Sequence, residues 1–403
     1  MDVQQLFLQA VKAALKNEKV SWTFEISPET WNELFSLAKM HHILPMIYEA
    51  CYECTAAKSI EASQLLSIKS SCLHLIAIQA LKTHDFLNLI QFLESRGIRI
   101  YVVKGIVCRN LYPNPDYRIS SDEDILVDEK QFENCRKALA EYGLNVCSSA
   151  DDEDEIAYEK KETFTYIELH RQLFPKASQA YGHLNQFFEG FSSYEEKIEG
   201  ISVYSLEPTA HLFYLICHAF KHFMHSGFGI RQVCDICLYS NAYDSQIDWK
   251  QLYEQCKLIH ADIFAKALLN IAQKYLTLNA DMDACWNELE VDEDALLEDI
   301  LNAGVFGSSS LSRKHSSTAT LNVINGKSMN QSWLRSLFPS RKDMESKYPQ
   351  LKERPLFLPV AWFDRILHYI KEADTYDQNV LESLNISKQR INLMKQYKII
   401  EKK

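Results

Sequence analysis

The stretch Arg118-Ile119-Ser120-Ser121-Asp122-Glu123-Asp124-Ile125-Leu126-Val127 joins two aspartates to a short apolar run. The branched residues that follow Asp124 predict a β-strand beginning at the aspartates. Because side chains alternate along a strand, Asp122 and Asp124 project from one face, and Glu123 projects from the other, where we expect it to face solvent. The stretch therefore predicts two carboxylates side by side on a sheet.

Similar strand signals lie on both sides of this stretch. The segments IRIYVV (98–103) and FTYIEL (164–169) are rich in branched and aromatic residues. A short helical segment that ends near Tyr112 separates the first two predicted strands, and an amphipathic helix over 129–143 follows the second. The order strand, helix, strand, helix, strand predicts a small mixed sheet.

A further hairpin is predicted before the third strand. LNVCSS (144–149) and EIAYEKK (155–161) would be its arms, and the acidic run Asp151 to Glu155 would be a polar turn at its solvated tip. Residues before and after the sheet segment follow helical periodicity. The fold class predicted is α+β, with a small mixed sheet flanked by N-terminal helices and a C-terminal helical domain.

Three regions follow from these changes in pattern. Residues 1–97 form an N-terminal helical region, 98–206 a core that carries the sheet, and 207–403 a C-terminal helical domain. A stretch near 304–331, rich in Gly, Ser and Asn, predicts a loop inside the last region.

A third carboxylate would complete a cation site with Asp122 and Asp124. Hard divalent cations such as Mg²⁺ prefer oxygen ligands, and two such ions about 3.5 to 4 Å apart can activate an attacking oxygen and stabilise a leaving phosphate. Glu168 on the apolar third strand is the first candidate, and Glu162 and Asp128 are the alternatives. These carboxylates predict binding of Mg²⁺ or Mn²⁺.

Four segments together resemble a known family. VVKG (102–105), YPNPDYR (112–118), SDEDILV (121–127) and IELH (167–170) look like the bacterial uncharacterised nucleotidyltransferases, a branch of the DNA polymerase beta superfamily. The resemblance continues through CHAFKHF (217–223), GIRQVCDICLYS (229–240) and the segment 348–367. Ile106 stands where the superfamily usually has a small residue, and Glu123 stands where it usually has an apolar one.

The resemblance implies a catalytic role for Asp122, Asp124 and Glu168. By this likeness the first two would bind the metal that carries a nucleoside triphosphate, and Asp124 with Glu168 would hold a second metal that prepares the acceptor. Lys104 and Gly105 would meet the incoming phosphates, since glycine permits close approach of the backbone and lysine supplies a charge. ATP is the nucleotide we expect.

Weaker signals lie outside these motifs. Arg118 would hold a phosphate or pair with a nearby carboxylate. His218, Lys221, His222 and His225 share a helix face that could meet phosphate or base, or could simply be packed histidines. Arg231 is a candidate nucleotide contact, although an ion pair with Asp235, four residues later, would also explain it.

Composition limits the other possibilities. The net charge of -11 argues against extended, non-specific nucleic-acid binding. The N-terminus lacks a secretion signal, and no window offers the roughly 18 uncharged apolar residues of a membrane span, so we expect a cytoplasmic protein. The pairs Cys51/Cys54 and Cys234/Cys237 have the spacing of half a zinc site, but plain core thiols are the expectation.

The sequence therefore favours a metal-dependent transfer of a nucleoside monophosphate to an acceptor, with release of pyrophosphate. The acceptor could be a small molecule, a protein side chain or an RNA end. The alternative is a catalytically silent module with the same fold that binds nucleotide or engages a protein partner. A lesser alternative is phosphohydrolase chemistry with water as the acceptor.

Overall fold

The computed structural model describes residues 2–147, 155–176, 178, 181–225, 227–304, 357–358, 361 and 389–399. Parts of three predicted segments lie outside these residues: all but Gly304 of the loop near 304–331, residues 151–154 of the acidic run, and nearly all of 348–367. The division into three regions stays a prediction.

Four α-helices precede the sheet in the described residues, within the region that the sequence predicts to be helical. They are α1 (Val3–Leu15), α2 (Pro28–Met40), α3 (Leu44–Cys51) and the 34-residue α4 (Ala62–Ser95). The start of α2 is defined by Ser27, whose hydroxyl accepts a hydrogen bond from the Thr30 amide, and by Pro28 in the first turn. The chain leaves α4 through Gly97, whose φ of +72° favours glycine.

Helix α4 is long enough and apolar enough to cross a membrane, judged by length and composition. Only 17% of its most apolar window is buried. A core helix of a soluble protein passes the same test, so this single helix is weak evidence. The sequence analysis had predicted no membrane-spanning segment.

The described residues between 100 and 206 include seven strands and two α-helices. These elements are β1 (Ile100–Val103), α5 (Gly105–Arg109), β2 (Glu123–Val127), α6 (Phe132–Glu141), β3 (Asn145–Val146), β4 (Glu155–Lys160), β5 (Thr165–His170), β6 (Ser193–Ile198) and β7 (Ile201–Leu206). The three strands around the aspartates and the β3–β4 hairpin lie where the sequence predicts them.

The first five strands form one mixed sheet in the order β1-β2-β5-β4-β3, and β6 and β7 form a separate hairpin. Strand β2 pairs antiparallel with β1 and parallel with β5. All five residues of β2 are buried, as expected for a strand between two neighbours with both faces covered. The parallel register aligns Asp124 with Glu168. This α+β architecture confirms the predicted fold class.

The α-helices that follow the sheet in residues 207–304 are α7 (Pro208–His225), α8 (Ile230–Tyr243), α9 (Trp249–Leu258), α10 (Asp262–Tyr275), α11 (Ala284–Asn287) and α12 (Asp294–Ala303). Helices α7 and α8 are buried along most of their length. They carry several polar side chains that reach the sheet, and these side chains complete the site.

Candidate active site

Strands β2 and β5 bring the predicted carboxylates together. Asp122 lies just before β2, Asp124 is the second residue of β2, and Glu168 is aligned with Asp124 across the parallel pair. Aligned residues of neighbouring strands project from the same face of a sheet. Among the alternatives, Glu162 and Asp128 are both exposed, and neither lines the pocket described below.

The carboxylates line a pocket of about 250 Å³. The strands contribute acidic groups, and α7 and α8 contribute cationic groups and histidines. The lining residues include Lys104, Arg118, Asp122, Asp124, Glu155, Glu168, His170, Tyr214, His218, Lys221, His222, Arg231 and Asp235. Of the residues predicted for the site, all except Gly105 and His225 therefore line one pocket.

The ammonium group of Lys104 lies close to both aspartates. Its Nζ lies 2.7 Å from Oδ2 of Asp124 and 3.9 Å from Oδ2 of Asp122. Burial opposes charge on Asp124, but Lys104 and His170 hold the pKa of that carboxyl well below its usual value. For Lys104 burial likewise opposes charge, yet the two aspartates raise its pKa. Lys104 and Asp124 thus form a charged, buried pair.

The pKa of Glu168 is shifted in the opposite direction from that of Asp124. Burial, with the nearby charges of Asp124 and Asp122, raises the pKa of Glu168 to about 9. Carboxylates crowded at a buried site repel one another, and an added cation would relieve that repulsion. The donor set of three carboxylates on one sheet face therefore fits a divalent metal ion.

The backbone of Lys104 is held by a residue that the sequence reasoning missed. Lys104 has a φ of +72°, a region that residues other than glycine rarely adopt. Its amide donates to Nε2 of His211, a buried histidine of α7, at 3.0 Å. Burial lowers the pKa of His211 to about 3, so the ring is neutral and can accept this hydrogen bond. The sequence offered no signal for this contact, which depends on packing across 107 residues.

Two histidines of α7 adjoin Lys104. Nε2 of His218 lies 3.3 Å from Lys104 Nζ and 3.3 Å from Nε2 of His222. Burial, followed by the charge of Lys104, lowers the pKa of His218 well below its usual value, and burial with Lys221 lowers that of His222 to about 3. Because both pKa values are lowered, both imidazole rings are neutral. His225 is exposed and does not line the pocket.

Glu123 is buried, which corrects the expectation that it faces solvent. It is 2% exposed. Its Oε2 accepts a hydrogen bond from the Ile106 amide at 2.7 Å, and its Oε1 accepts one from Arg109 at 2.7 Å. A Cβ at Gly105 would lie 2.0 Å from Oε2 of Glu123. The close approach that Gly105 permits is therefore to this carboxylate, and the Ile106 amide is already occupied.

Arg118, and not Arg231, forms the ion pair with Asp235. The predicted pairing of Arg231 with Asp235 is therefore wrong. Two hydrogen bonds of 2.7 and 2.6 Å join the Arg118 guanidinium to Asp235, and Tyr112 donates to the same carboxylate at 2.7 Å. Arg118 and Asp235 are 1% and 3% exposed. Arg118 reaches the pocket only as part of this buried pair.

Arg231 is a buried cation with a weaker set of partners. Its Nη1 donates to the carbonyl of Ile119, and its Nε has no hydrogen-bond partner within the described residues. Burial and the nearby charge of Arg118 lower the pKa of Arg231. Such a group would be stabilised by an anion in the pocket.

His170 and Glu155 are further pocket residues that the sequence reasoning missed. His170 follows Glu168 by two residues and therefore projects from the same face of β5. Glu155 is aligned with His170 on the neighbouring strand β4. The pattern Glu168-Leu169-His170 repeats the spacing of the two aspartates, and that spacing was the available signal.

The family model of the uncharacterised nucleotidyltransferases matches residues 27–277. The chain belongs to this family. The match to the uncharacterised nucleotidyltransferases covers α2 through α10, and so includes every residue of the pocket named above. The cysteine pairs Cys51/Cys54 and Cys234/Cys237 within it are free, buried thiols, as expected.

Three solved structures have a remote likeness to this chain. An antigenic nucleotidyltransferase-like protein from Paracoccidioides brasiliensis is 17% identical, with a TM-score of 0.32 over 49% of this chain and 94% of that one. A tRNA nucleotidyltransferase solved with a primer tRNA and an ATP analogue is 14% identical, with a TM-score of 0.22 over 77% and 96%. A tRNA-processing enzyme in an apo form is also 14% identical, with a TM-score of 0.21 over 76% and 89%. These scores are too low to bear on the site. A comparison with curated proteins found no match.

Proposed function

We propose that this chain is a divalent-metal-dependent nucleotidyltransferase of the polymerase beta superfamily. It would transfer a nucleoside monophosphate from a nucleoside triphosphate, with ATP the expected one, to an acceptor oxygen and release pyrophosphate. The observation that carries the proposal is the composition of one pocket: carboxylates aligned on β2 and β5, with cationic side chains from α7 and α8 on the same cavity.

The carboxylates suit the metal. Asp122, Asp124 and Glu168 would hold a divalent cation, which when bound would neutralise phosphate charge and polarise the acceptor oxygen. Mg²⁺ and Mn²⁺ both fit a donor set of this kind. The raised pKa of Glu168 supports the assignment, because it reflects negative charge that a cation would balance.

The cationic residues suit the triphosphate. Arg231 is buried without a carboxylate partner among the described residues, and Lys221 lines the same cavity. Lys104 is shared between the aspartates and would balance charge at the metal end. Because Glu123 occupies the Ile106 amide, that amide is not free to hold phosphate, and the cationic side chains would supply the phosphate contacts instead.

The acceptor stays open between a small molecule, a protein side chain and an RNA end. A catalytically silent nucleotide-binding or protein-interaction module is the second candidate, and two observations favour it. Glu123 occupies the Ile106 amide in the turn after β1. Lys104 already supplies a cation to the aspartates from within the chain. Both features would weaken the affinity for a metal-bound triphosphate.

The test is metal-dependent binding and turnover of the four ribonucleoside triphosphates by the wild-type chain. Pyrophosphate release and label transfer to protein would both be followed. Asp122→Ala and Asp124→Ala are the test variants, and Asp128→Ala, an exposed aspartate just after β2, is the matched control. Loss of binding or turnover in both test variants, but not in Asp128→Ala, would support the transferase. Triphosphate binding unaffected by both would favour the silent module.

A further inference from the structure

His170 lies among carboxylates at both ends of its ring. It is 5% exposed, and its Nε2 lies 3.3 Å from Oδ1 of Asp124 and 3.9 Å from Oε2 of Glu168. One ligand atom from each of these three residues lies within 4.8 Å of the other two. The cluster is therefore a mixed set of one nitrogen and two oxygen donors.

These separations are close to those of residues that share one ion. Two ligands about 2.1 Å from a metal and at right angles to each other lie about 3.0 Å apart. The 3.3 Å between His170 and Asp124 needs only a small adjustment to reach that value. The strand register fixes the arrangement, since Glu168 and His170 are alternate residues of β5.

The second ring nitrogen of His170 faces an orienting group. Its Nδ1 lies 3.7 Å from Oε2 of Glu155, which is aligned with it on β4. Histidines that bind metals nearly always present their other nitrogen to a carboxylate, a carbonyl or water, which fixes the tautomer that leaves the binding nitrogen unprotonated. Nε2 is hydrogen-bonded to Asp124 in this structure. With the proton on Nδ1, on the side of Glu155, Nε2 would be free for an ion.

We propose that His170 is a metal ligand through Nε2, together with Asp124 and Glu168, and that Glu155 orients its ring. An imidazole ligand favours first-row transition metals over Mg²⁺, so the site should select Mn²⁺ over Mg²⁺. This inference rests on the proposed function, because both use the same two carboxylates. It assigns to the site a nitrogen ligand and a preference between the two cations.

The test uses the full chain with Mn²⁺ alone as the probe. Binding would be measured from the loss of the free Mn²⁺ electron paramagnetic resonance signal, and Mg²⁺ affinity by competition. Pulsed measurements on the bound ion would detect modulation from a coordinated imidazole nitrogen. The variants are His170→Gln and Glu155→Gln, with His74→Gln and His84→Gln, both at exposed positions of α4, as controls.

We expect nitrogen modulation in the wild type and in both control variants, and none in His170→Gln. Mn²⁺ affinity should fall about 10- to 100-fold in His170→Gln and less in Glu155→Gln, with a smaller change for Mg²⁺. Bound Mn²⁺ without nitrogen modulation in the wild type would overturn the proposal, whatever the stability of the variants, and so would a His170→Gln variant with wild-type Mn²⁺ affinity. Failure of the proposed function would look different: Mn²⁺ would bind with its nitrogen ligand, but triphosphates would bind independently of it.

Discussion

The carboxylate of Glu123 accepts a hydrogen bond of 2.7 Å from the backbone amide of Ile106, inside the turn that joins β1 to α5. The same carboxylate is paired with Arg109 in the protein interior. Gly105 lies against Glu123 with a φ of +33°. The residue between the two aspartates therefore supports the turn from within, while its neighbours face the pocket.

Gly105→Ala should be strongly destabilising. The new Cβ would lie 2.0 Å from Oε2 of Glu123 and would force the buried Glu123–Arg109 pair apart. Disrupting such a pair costs about 3 to 5 kcal/mol of unfolding free energy. Gly97→Ala is the matched control, because Gly97 also has a positive φ but has no atom within 4 Å of a new Cβ. We expect that change to cost about 1 to 2 kcal/mol. Urea unfolding measures both, and equal costs would contradict the role given to Glu123.

Substitution of Arg118 and of Arg231 should separate stability from binding. Arg118→Met would leave Asp235 buried without its cation, at a cost of about 3 to 5 kcal/mol. Arg231→Met would remove a cation that has no carboxylate partner among the described residues, at a cost of about 1 kcal/mol or less.

For triphosphate binding, we expect the larger effect from Arg231→Met and the smaller one from Arg118→Met. Arg231→Met should lower triphosphate affinity at least about tenfold, or about 1.4 kcal/mol. Thermal unfolding and equilibrium binding of a labelled triphosphate, measured on the same preparations, would test both halves. A stable Arg118→Met variant would mean that the buried pair contributes little. Unchanged affinity in Arg231→Met would remove it from the binding site.

Lys104→Met should bind divalent cations more tightly. The ammonium group contacts both aspartates, so it competes with any cation for the same oxygens. Its removal should raise Mn²⁺ affinity about tenfold, equivalent to about 1.4 kcal/mol, and should lower triphosphate affinity because a phosphate partner is lost. Lys221→Met is the comparison, since it should weaken the triphosphate without strengthening the metal. Calorimetric titration distinguishes the two, and weaker Mn²⁺ binding by Lys104→Met would refute the competition.

Stability should fall as the pH drops below about 6.5. Burial lowers the pKa of His41 to about 4 and that of His211 to about 3. Their usual value is about 6.5. Between these values the unfolded chain binds protons that the folded chain excludes, so each histidine lowers stability by about 1.4 kcal/mol per pH unit as the pH falls. Above pH 6.5 this contribution is fully retained.

Denaturant unfolding from pH 4 to 8 would measure that dependence. His211→Gln should flatten the slope, since glutamine does not titrate, and its side-chain oxygen can still accept from the Lys104 amide. His74→Gln, at an exposed position on α4, controls for the loss of a histidine in general. A slope that His211→Gln leaves unchanged would show that the buried ring does not exclude protons.

The sequence predicted those parts of the site that depend on local pattern. Alternation along β2 placed Asp122 and Asp124 on one face, and the apolar strand around Glu168 identified the third carboxylate. The same alternation failed for Glu123, because it predicts the face on which a residue lies and not whether that face is covered. Both faces of β2 are covered, and Arg109 in α5 supplies the partner that makes a buried carboxylate tolerable.

The contacts between distant segments could not be read from one sequence. Arg118 has several carboxylates near it in the chain, yet its partner Asp235 lies 117 residues away on α8. The His211 contact with Lys104 likewise requires the packing of α7 against the turn. Periodicity locates helices and strands, but the pairing of polar groups between them depends on tertiary packing.

The parallel pairing of β2 with β5 has a consequence for the order of folding. Strands β4 and β5 are joined by a short turn and can pair locally. Strand β2 can pair with β5 only after the intervening α6, β3 and β4 have brought the chain back to it. Pairings between distant segments form slowly, because loop closure costs entropy before any contact compensates it. Pulse-labelling hydrogen exchange during refolding should protect β4 and β5 before β2. A chain still emerging from the ribosome would thus pair β4 with β5 first and bring Asp124 beside Glu168 only later, so partly made chains would lack the proposed cation site.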